Sequence, residues 1–264
     1  MDKKQPIGVL DSGVGGLTVL RSLQRILPAE NFLYLGDTAR APYGVRTRET
    51  ITAFVAQMTD WMEKNRVKLL VTACNTITVL GTDVIRGSHS FPVIGMSKGA
   101  ELVGKVTKNK RIGLMATDFT VGTGAHRKEI READPETEVF GVGCTKFVPL
   151  IEGNRFDSPE LKEAIAEYAD ALKEKEVDTV ILGCTHYPFV REYLEESFGP
   201  GVTIIDPAEA TALAAKKNLE ERNLLRTEGR GQCTVCFTGD VEQGRLLAAR
   251  MLDTGSCRFE KVSL

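Results

Sequence analysis

The apolar positions of this chain fall into short runs separated by amphipathic stretches, and the alternation repeats from one end to the other. Ile7 to Leu10 reads as a buried strand, Asp11-Ser12-Gly13-Val14-Gly15-Gly16 as a turn, and Leu17, Leu20, Leu23 and Leu27 as the buried side of a helix. Phe32 to Leu35 predicts the next strand, ending in Gly36-Asp37-Thr38. A loop with Ala41-Pro42-Tyr43-Gly44 then leads to a long helix from about Thr47 to Asn65. Strand Val67 to Ala73, a helix after Asn75 and strand Pro92 to Gly95 complete a βα alternation of the open parallel-sheet kind.

The pattern then restarts. Arg111 to Ala116 is a strand followed by Thr117-Asp118-Phe119-Thr120 and a helix, and Glu138 to Val142 is a second strand. Cys144 to Gly153, which contains Pro149 and Glu152, reads as a loop. Ser158-Pro159 reads as an N-cap with proline in the first helical position, opening a helix to about Lys175. Strand Thr179 to Gly183 comes next. The opening strands of the two halves lie about 105 residues apart and the cysteines that close Lys68–Cys74 and Thr179–Cys184 about 110 apart, so two similar halves are expected. Beyond Asp206-Pro207, an Ala-rich helix from Ala208 to Glu221 precedes strand Cys233 to Thr238, helix Val241 to Leu252 and a last strand near Arg258 to Val262. This tail is too small to stand alone and is expected to pack on the first half.

Length and composition narrow the class without choosing the chemistry. At 264 residues, 42% hydrophobic and 27% charged, the chain is an ordinary globular one, and its net charge of -2 gives no bias toward nucleic acid. No apolar run approaches a membrane span, and Ile7 to Leu10 is too short for a signal-peptide core, so a cytoplasmic protein with no membrane role is expected. The cysteines at 74, 144, 184, 233, 236 and 257 are mostly far apart and are expected to be reduced.

Candidate chemistry begins with the glycine turn. GxGxxG from Gly13 would require glycine where the chain has Thr18, and Asp11 would set an anion beside a pyrophosphate. A small carboxylic acid therefore fits this turn better than a dinucleotide, even though Asp37 stands where a ribose-binding acid could. A cysteine after a strand is ordinarily a buried small apolar group, and Cys144 and Cys257 are read that way. Cys233 and Cys236 form CxxC, yet in a strand they point to opposite faces and no second CxxC accompanies them, so no metal is expected there.

Cys74 and Cys184 differ because each closes an apolar run at a strand's carboxyl end, where open α/β sheets bind ligands. A thiol serves as base or nucleophile only as thiolate, so neighbouring groups must manage its proton. His186 lies two residues from Cys184, and Asp11 ends the strand expected beside that of Cys74. Taken singly, His186 suits a structural hydrogen bond and Asp11 a capping turn as well as it suits catalysis; two thiols alongside favour the functional reading. Ser12, Asn75, Thr76, Thr117, Thr120 and Thr185 add neutral hydrogen-bonding groups suited to an amino acid's carboxylates and ammonium, or to loop and cap roles.

Six ordered motifs together resemble the glutamate racemase family: Asp11-Ser12-Gly13-Val14-Gly15-Gly16, Gly36-Asp37-Thr38, Pro42-Tyr43-Gly44, Cys74-Asn75-Thr76, Val148-Pro149-Leu150-Ile151-Glu152 and Gly183-Cys184-Thr185-His186-Tyr187-Pro188. The resemblance covers nearly the whole chain. It implies two similar open, mostly parallel-sheet α/β domains facing a central cleft, residues 1–96 with 208–264 on the Cys74 side and 97–207 on the Cys184 side. It further implies cofactor-independent racemisation with Cys74 and Cys184 as the acid/base pair, Asp11 assisting Cys74, His186 assisting Cys184, and Glu152 as a further acid. Asp11, Ser12, Pro42, Tyr43, Gly44, Asn75, Thr76, Thr117, Thr120, Thr185 and His186 would contact glutamate. No cofactor or metal is implied, a homodimer is one open assembly state, and D-glutamate would feed bacterial peptidoglycan synthesis. Ile77, Val45, His126 and the short Gly95–Gly99 connection depart from the family pattern. Two alternatives remain: a racemase of aspartate or another amino acid, and a non-catalytic module that closes on an acidic amino acid.

Overall fold

The computed structural model describes residues 1–86 and 89–264, apart from the side chains of 81–84 and 86. The chain divides into two compact units, Met1–Met96 with Ala208–Leu264, and Ser97–Pro207. In the first unit β1 (Ile7–Asp11), α1 (Leu17–Ile26), β2 (Phe32–Gly36), α2 (Arg48–Lys64), β3 (Leu69–Thr72), α3 (Asn75–Arg86) and β4 (Val93–Gly95) alternate as the hydrophobic pattern predicts. The second unit contains α4 (Ala100–Val106), β5 (Arg111–Ala116), α5 (Asp118–Thr123), α6 (Ala125–Ala133), β6 (Glu138–Gly143), α7 (Phe147–Glu152), α8 (Pro159–Lys173), β7 (Thr179–Gly183), α9 (Arg191–Phe198) and β8 (Thr203–Ile205). The chain then returns to the first unit with α10 (Ala208–Glu221), β9 (Cys233–Phe237), α11 (Val241–Ala248) and β10 (Cys257–Lys261).

Every strand pair is parallel, in the orders β10-β9-β2-β1-β3-β4 and β6-β5-β7-β8. The four strands of the second sheet repeat the order of β2-β1-β3-β4, so the two halves share a topology as well as a sequence rhythm. In both, the strand that precedes the candidate cysteine lies beside the first strand of its half: Leu10 pairs with Thr72, and Ala116 with Gly183. The tail enters the first sheet through β9, which pairs with β2 from Phe32↔Cys233 to Gly36↔Phe237. Strands β1, β3 and β7 are buried along their whole length, as expected of parallel strands covered by helices on both faces.

Local chemistry accounts for several of the helix starts. Thr47 and Ser158 each accept a hydrogen bond from the backbone N–H three residues on, at Thr50 and Leu161, and Pro159 occupies the first helical position of α8. Gly124, with φ of 66°, separates α5 from α6, and Gly99, with φ of 81°, precedes α4; both conformations are strained for a side chain with a Cβ. The stretch expected to be a loop between Cys144 and Gly153 instead contains α7. Pro149 is its third residue, within the first turn, where no intrahelical bond needs its missing N–H. The Phe147 ring anchors this short helix edge-on against Tyr168 and Tyr187, with centroids 5.1 Å apart in each pair. Helices α4 and α9 and strand β8 had no counterpart in the expected element list.

Candidate active site

In the first unit the sheet places the Asp11–Gly16 turn next to the loop after β3. The Ala73 N–H donates to the Leu10 carbonyl at 2.7 Å, continuing the β1–β3 ladder one residue beyond the strand and fixing Cys74 beside the Asp11 turn. Ser12 Oγ lies 3.6 Å from Cys74 Sγ, both buried, so the hydroxyl shares a hydrogen with the thiol. Asp11 is fully buried, and its Oδ1 accepts from the Gly13 N–H at 2.7 Å. That N–H is therefore engaged within the turn itself. A Cβ on Gly16 would come within 2.7 Å of Asp11 Cβ and 3.0 Å of Ala73 Cβ, so glycine is what allows the turn to lie against the cysteine strand. Asn75 and Thr76, both buried, open α3 directly after Cys74. The Asn75 amide nitrogen is a buried donor with no partner among the described residues.

Tyr43 sits in a single 3₁₀ turn, Tyr43–Val45, after Pro42 and beside Gly44. Its hydroxyl donates to Asp37 Oδ2 and lies 3.3 Å from Met58 Sδ. Asp37 also accepts from Arg40 Nε at 2.5 Å and, through Oδ1, from Thr238 Oγ1 at 2.7 Å. The carboxylate that could have been a ribose acceptor is instead a buried clamp, a role sequence reasoning did not assign. The signal was available in its place at the end of β2, though its partner Thr238 is 201 residues away. Burial, followed by the Asp37 charge and hydrogen bond, pushes the Tyr43 phenol well above its ordinary range and keeps it a donor.

The second unit supplies the other thiol. Cys184 follows β7, and its Sγ lies 3.8 Å from His186 Nδ1, while His186 Nε2 lies 2.7 Å from Glu152 Oε1 at the end of α7. His186 is 2% exposed. Burial pulls its pKa down, but hydrogen bonds to Cys184 and Glu152, reinforced by their charges, outweigh burial and hold it well above the usual histidine range. The result is a chain from carboxylate to imidazole to sulfur. Thr185 is buried in the same loop. Thr117 follows β5 and Thr120 lies in the first turn of α5: Thr117 caps α5 by accepting from the Thr120 N–H at 3.3 Å and donates to Thr120 Oγ1 at 3.0 Å.

The remaining cysteines divide. Cys144 is buried as expected, and burial, with the neighbouring Cys184 charge, raises its pKa; the Tyr187 hydroxyl donates to its carbonyl at 3.1 Å. Cys257, expected to be a buried apolar group, is partly exposed at the start of β10, because that strand forms the edge of the sheet. Cys233 and Cys236 both lie on β9.

A family model described as Asp/Glu/hydantoin racemase matches residues 7–215, most of both units. The chain belongs to this family. Among curated relatives, a glutamate racemase of Trichormus variabilis is 44% identical over 226 residues, covering 85% of this chain and 77% of its own. Among solved structures, a glutamate racemase isoform from Bacillus anthracis superposes with a TM-score of 0.92 at 34% identity, covering 99% of this chain and 98% of that one. The glutamate racemase of Francisella tularensis, solved in complex with D-glutamate, gives 0.89 at 32% identity over the same shares of the two chains. The two-sheet α/β architecture is thus that of the racemase family, and the strand-end loops described above belong to that fold.

Proposed function

We propose that this member of the racemase family is a glutamate racemase, interconverting L- and D-glutamate by proton transfer through two thiols without a cofactor. The observation that carries the reading is the equivalent placement of Cys74 and Cys184. Each follows the strand adjacent to the first strand of a four-strand pattern that occurs twice, and each sulfur has a polar neighbour able to share its proton.

Inversion at an α-carbon requires a proton to leave one face and another to arrive at the opposite face, so one thiol starts as thiolate and the other as thiol. On this reading Cys74 takes the proton of D-glutamate and Cys184 that of L-glutamate, exchanging roles in reverse. His186, held protonated by Glu152, stabilises the Cys184 thiolate as an ion pair. Ser12 hydrogen-bonds Cys74, and Asp11 is the nearby acid proposed to assist it. The buried Asn75 amide donor is suited to a substrate carboxylate, and Tyr43, Gly44, Pro42, Thr76, Thr117, Thr120 and Thr185 complete the proposed contacts. Residues 1–96 with 208–264, and 97–207, act as two domains that each contribute one thiol. The D-glutamate formed would serve peptidoglycan synthesis in a bacterial cytoplasm.

The test is α-proton exchange in D2O with purified, reduced protein. Wild type should exchange and racemise both glutamate enantiomers faster than aspartate or other amino acids. Cys184→Ser should retain exchange from D-glutamate only, and Cys74→Ser from L-glutamate only, each having lost racemisation. Binding of glutamate with no exchange in the wild type would instead identify a non-catalytic binding module, and faster turnover of another amino acid would reassign the substrate.

A further inference from the structure

Because all strands of the first sheet are parallel, the ends of β9 and β10 that begin with Cys233 and Cys257 lie at the opposite edge from Cys74. Cys233 and Cys257 are register partners. Register partners on parallel strands point to the same face, and neighbouring strands lie about 4.8 Å apart, within the Cα separation of about 4.4–6.8 Å that a disulfide spans. Gln24 Nε2 of α1 lies 3.9 Å from Cys257 Sγ and also lines the cavity beside Cys233, and the two thiols are near enough to shift each other's titration. Ser256 Oγ is a further neighbour of the Cys257 sulfur at 3.9 Å, as is the Asp253 carbonyl at 3.9 Å. A cavity of about 190 Å³ lined by Gln24, Arg230, Gln232, Cys233 and Ser256 reaches Cys233, and Cys257 itself is partly exposed.

The two sulfurs are electronically unequal. The neighbouring Cys233 thiol, with Ser256 and Gln24, lowers the Cys257 thiol to about 6 against the opposing effects of burial and Asp253. The proximity of Cys257, together with burial, raises Cys233 and keeps it protonated. Cys236, at an odd spacing from Cys233 on β9, faces the other side of the sheet, and burial pushes it up to about 12.

From this placement we infer that Cys257 and Cys233 form a peroxide-oxidisable dithiol, separate from the proposed catalytic thiols, with Cys257 attacking and Cys233 resolving. In the first step the Cys257 thiolate attacks a hydroperoxide oxygen and the O–O bond breaks. The departing alkoxide or hydroxide takes up a proton, and Cys257 becomes a sulfenic acid. Cys233 sulfur then attacks the sulfenic sulfur, the S–S bond forms, and the hydroxyl leaves as water with the Cys233 proton. Two thiols lose two electrons and two protons; the peroxide is reduced to an alcohol, or to water when it is hydrogen peroxide, with one further water formed. The bond would tie edge strand β10 to β9 and close a loop of roughly two dozen residues, which favours the folded state by restricting the unfolded chain.

The experiment treats the reduced full-length chain with hydrogen peroxide near stoichiometry, blocks remaining thiols, digests with trypsin without reductant and weighs the peptides. Cleavage at Lys and Arg leaves Cys257 in Met251–Arg258 and Cys233 with Cys236 in Gly231–Arg245. A linked pair two hydrogens lighter than its parts is expected, persisting in Cys236→Ala and lost in Cys233→Ala, where a 1,3-dione should trap the Cys257 sulfenic acid. The melting temperature should rise on oxidation and return with dithiothreitol. Alkylation of Cys257 in the reduced chain should half-saturate near pH 6. A Cys257 that stays reduced while other thiols oxidise, or a link that survives Cys233→Ala, would overturn the inference. Should Cys233→Ala fail to fold, Cys257→Ala at its partly exposed position serves instead: loss of the linked pair with no trap on Cys233 supports the assignment, and a trap on Cys233 contradicts it.

Discussion

Asp37 shows how much one buried carboxylate can organise. It accepts from Tyr43, Arg40 and Thr238, so the Pro42-Tyr43-Gly44 turn is held by β2 and by the segment after β9 at once. Hydrogen bonds to a charged acceptor are worth roughly 1.5–3 kcal/mol. Asp37→Asn should therefore raise KM for glutamate about tenfold or more with a smaller fall in kcat, and an unchanged KM in steady-state assays would argue against the clamp. His186 makes a different demand. The equilibrium constant of racemisation is one, so kcat/KM must fall equally in both directions in any variant. His186→Asn should consequently lower kcat more from L to D than from D to L, with KM compensating, because Cys184 is the proposed base for L-glutamate. Equal kcat losses would count against that pairing.

Among the elements, α6 contains a buried liability to acid. His126 is 1% exposed, neither ring nitrogen has a partner among the described residues, and burial, then the Lys98 charge, lowers its pKa to about 4. A folded-state pKa below the unfolded value means that the stability is present above about pH 6.5 and is lost as the pH falls toward 4. The loss is on the order of 3 kcal/mol. Denaturant titrations at pH 7 and pH 4 should show a smaller drop for His126→Phe than for wild type; identical drops would place the acid sensitivity elsewhere. The neighbouring element α7 illustrates what local pattern hides. Pro149 within a short segment reads as a loop, yet the Phe147 contacts with Tyr168 and Tyr187 stabilise a six-residue helix that ends at Glu152. The helix places that carboxylate 2.7 Å from His186, a contact that the spacing of 34 residues could not reveal.

Across the molecule, the return of the chain to the first sheet depends on a buried ion pair. Lys68 Nζ donates to Glu30 Oε2 at 2.5 Å and to the carbonyls of Lys3 and Leu224 at 2.6 and 3.0 Å, while Glu30 Oε1 accepts from the Arg226 N–H at 2.8 Å. The pair thus joins the N-terminus, β3 and the connection into β9. Removing one member of such a pair leaves a buried charge uncompensated at a cost of about 3–5 kcal/mol. Lys68→Met should lose that much in equilibrium unfolding, and Lys68→Met with Glu30→Leu should recover part of it. A loss below about 1 kcal/mol in the single variant would show that the pair is not holding the tail.

The sequence by itself determined the βα rhythm, the two-half organisation of the strands, the helix cap at Ser158 and the strand-end position of Cys74 and Cys184. All of these follow from periodicity and from the chemistry of a few neighbouring residues. Only the tertiary structure decided the partners. Ser12 meets Cys74, Asp37 meets Tyr43 and Thr238, Glu152 meets His186, and Cys233 faces Cys257, because strand order and register bring together groups far apart in the chain. Hydrophobic periodicity says which face of a strand is buried and is silent on which strand lies beside it. That choice belongs to packing over the whole sheet, and the proton-managing neighbours of each thiol are decided with it.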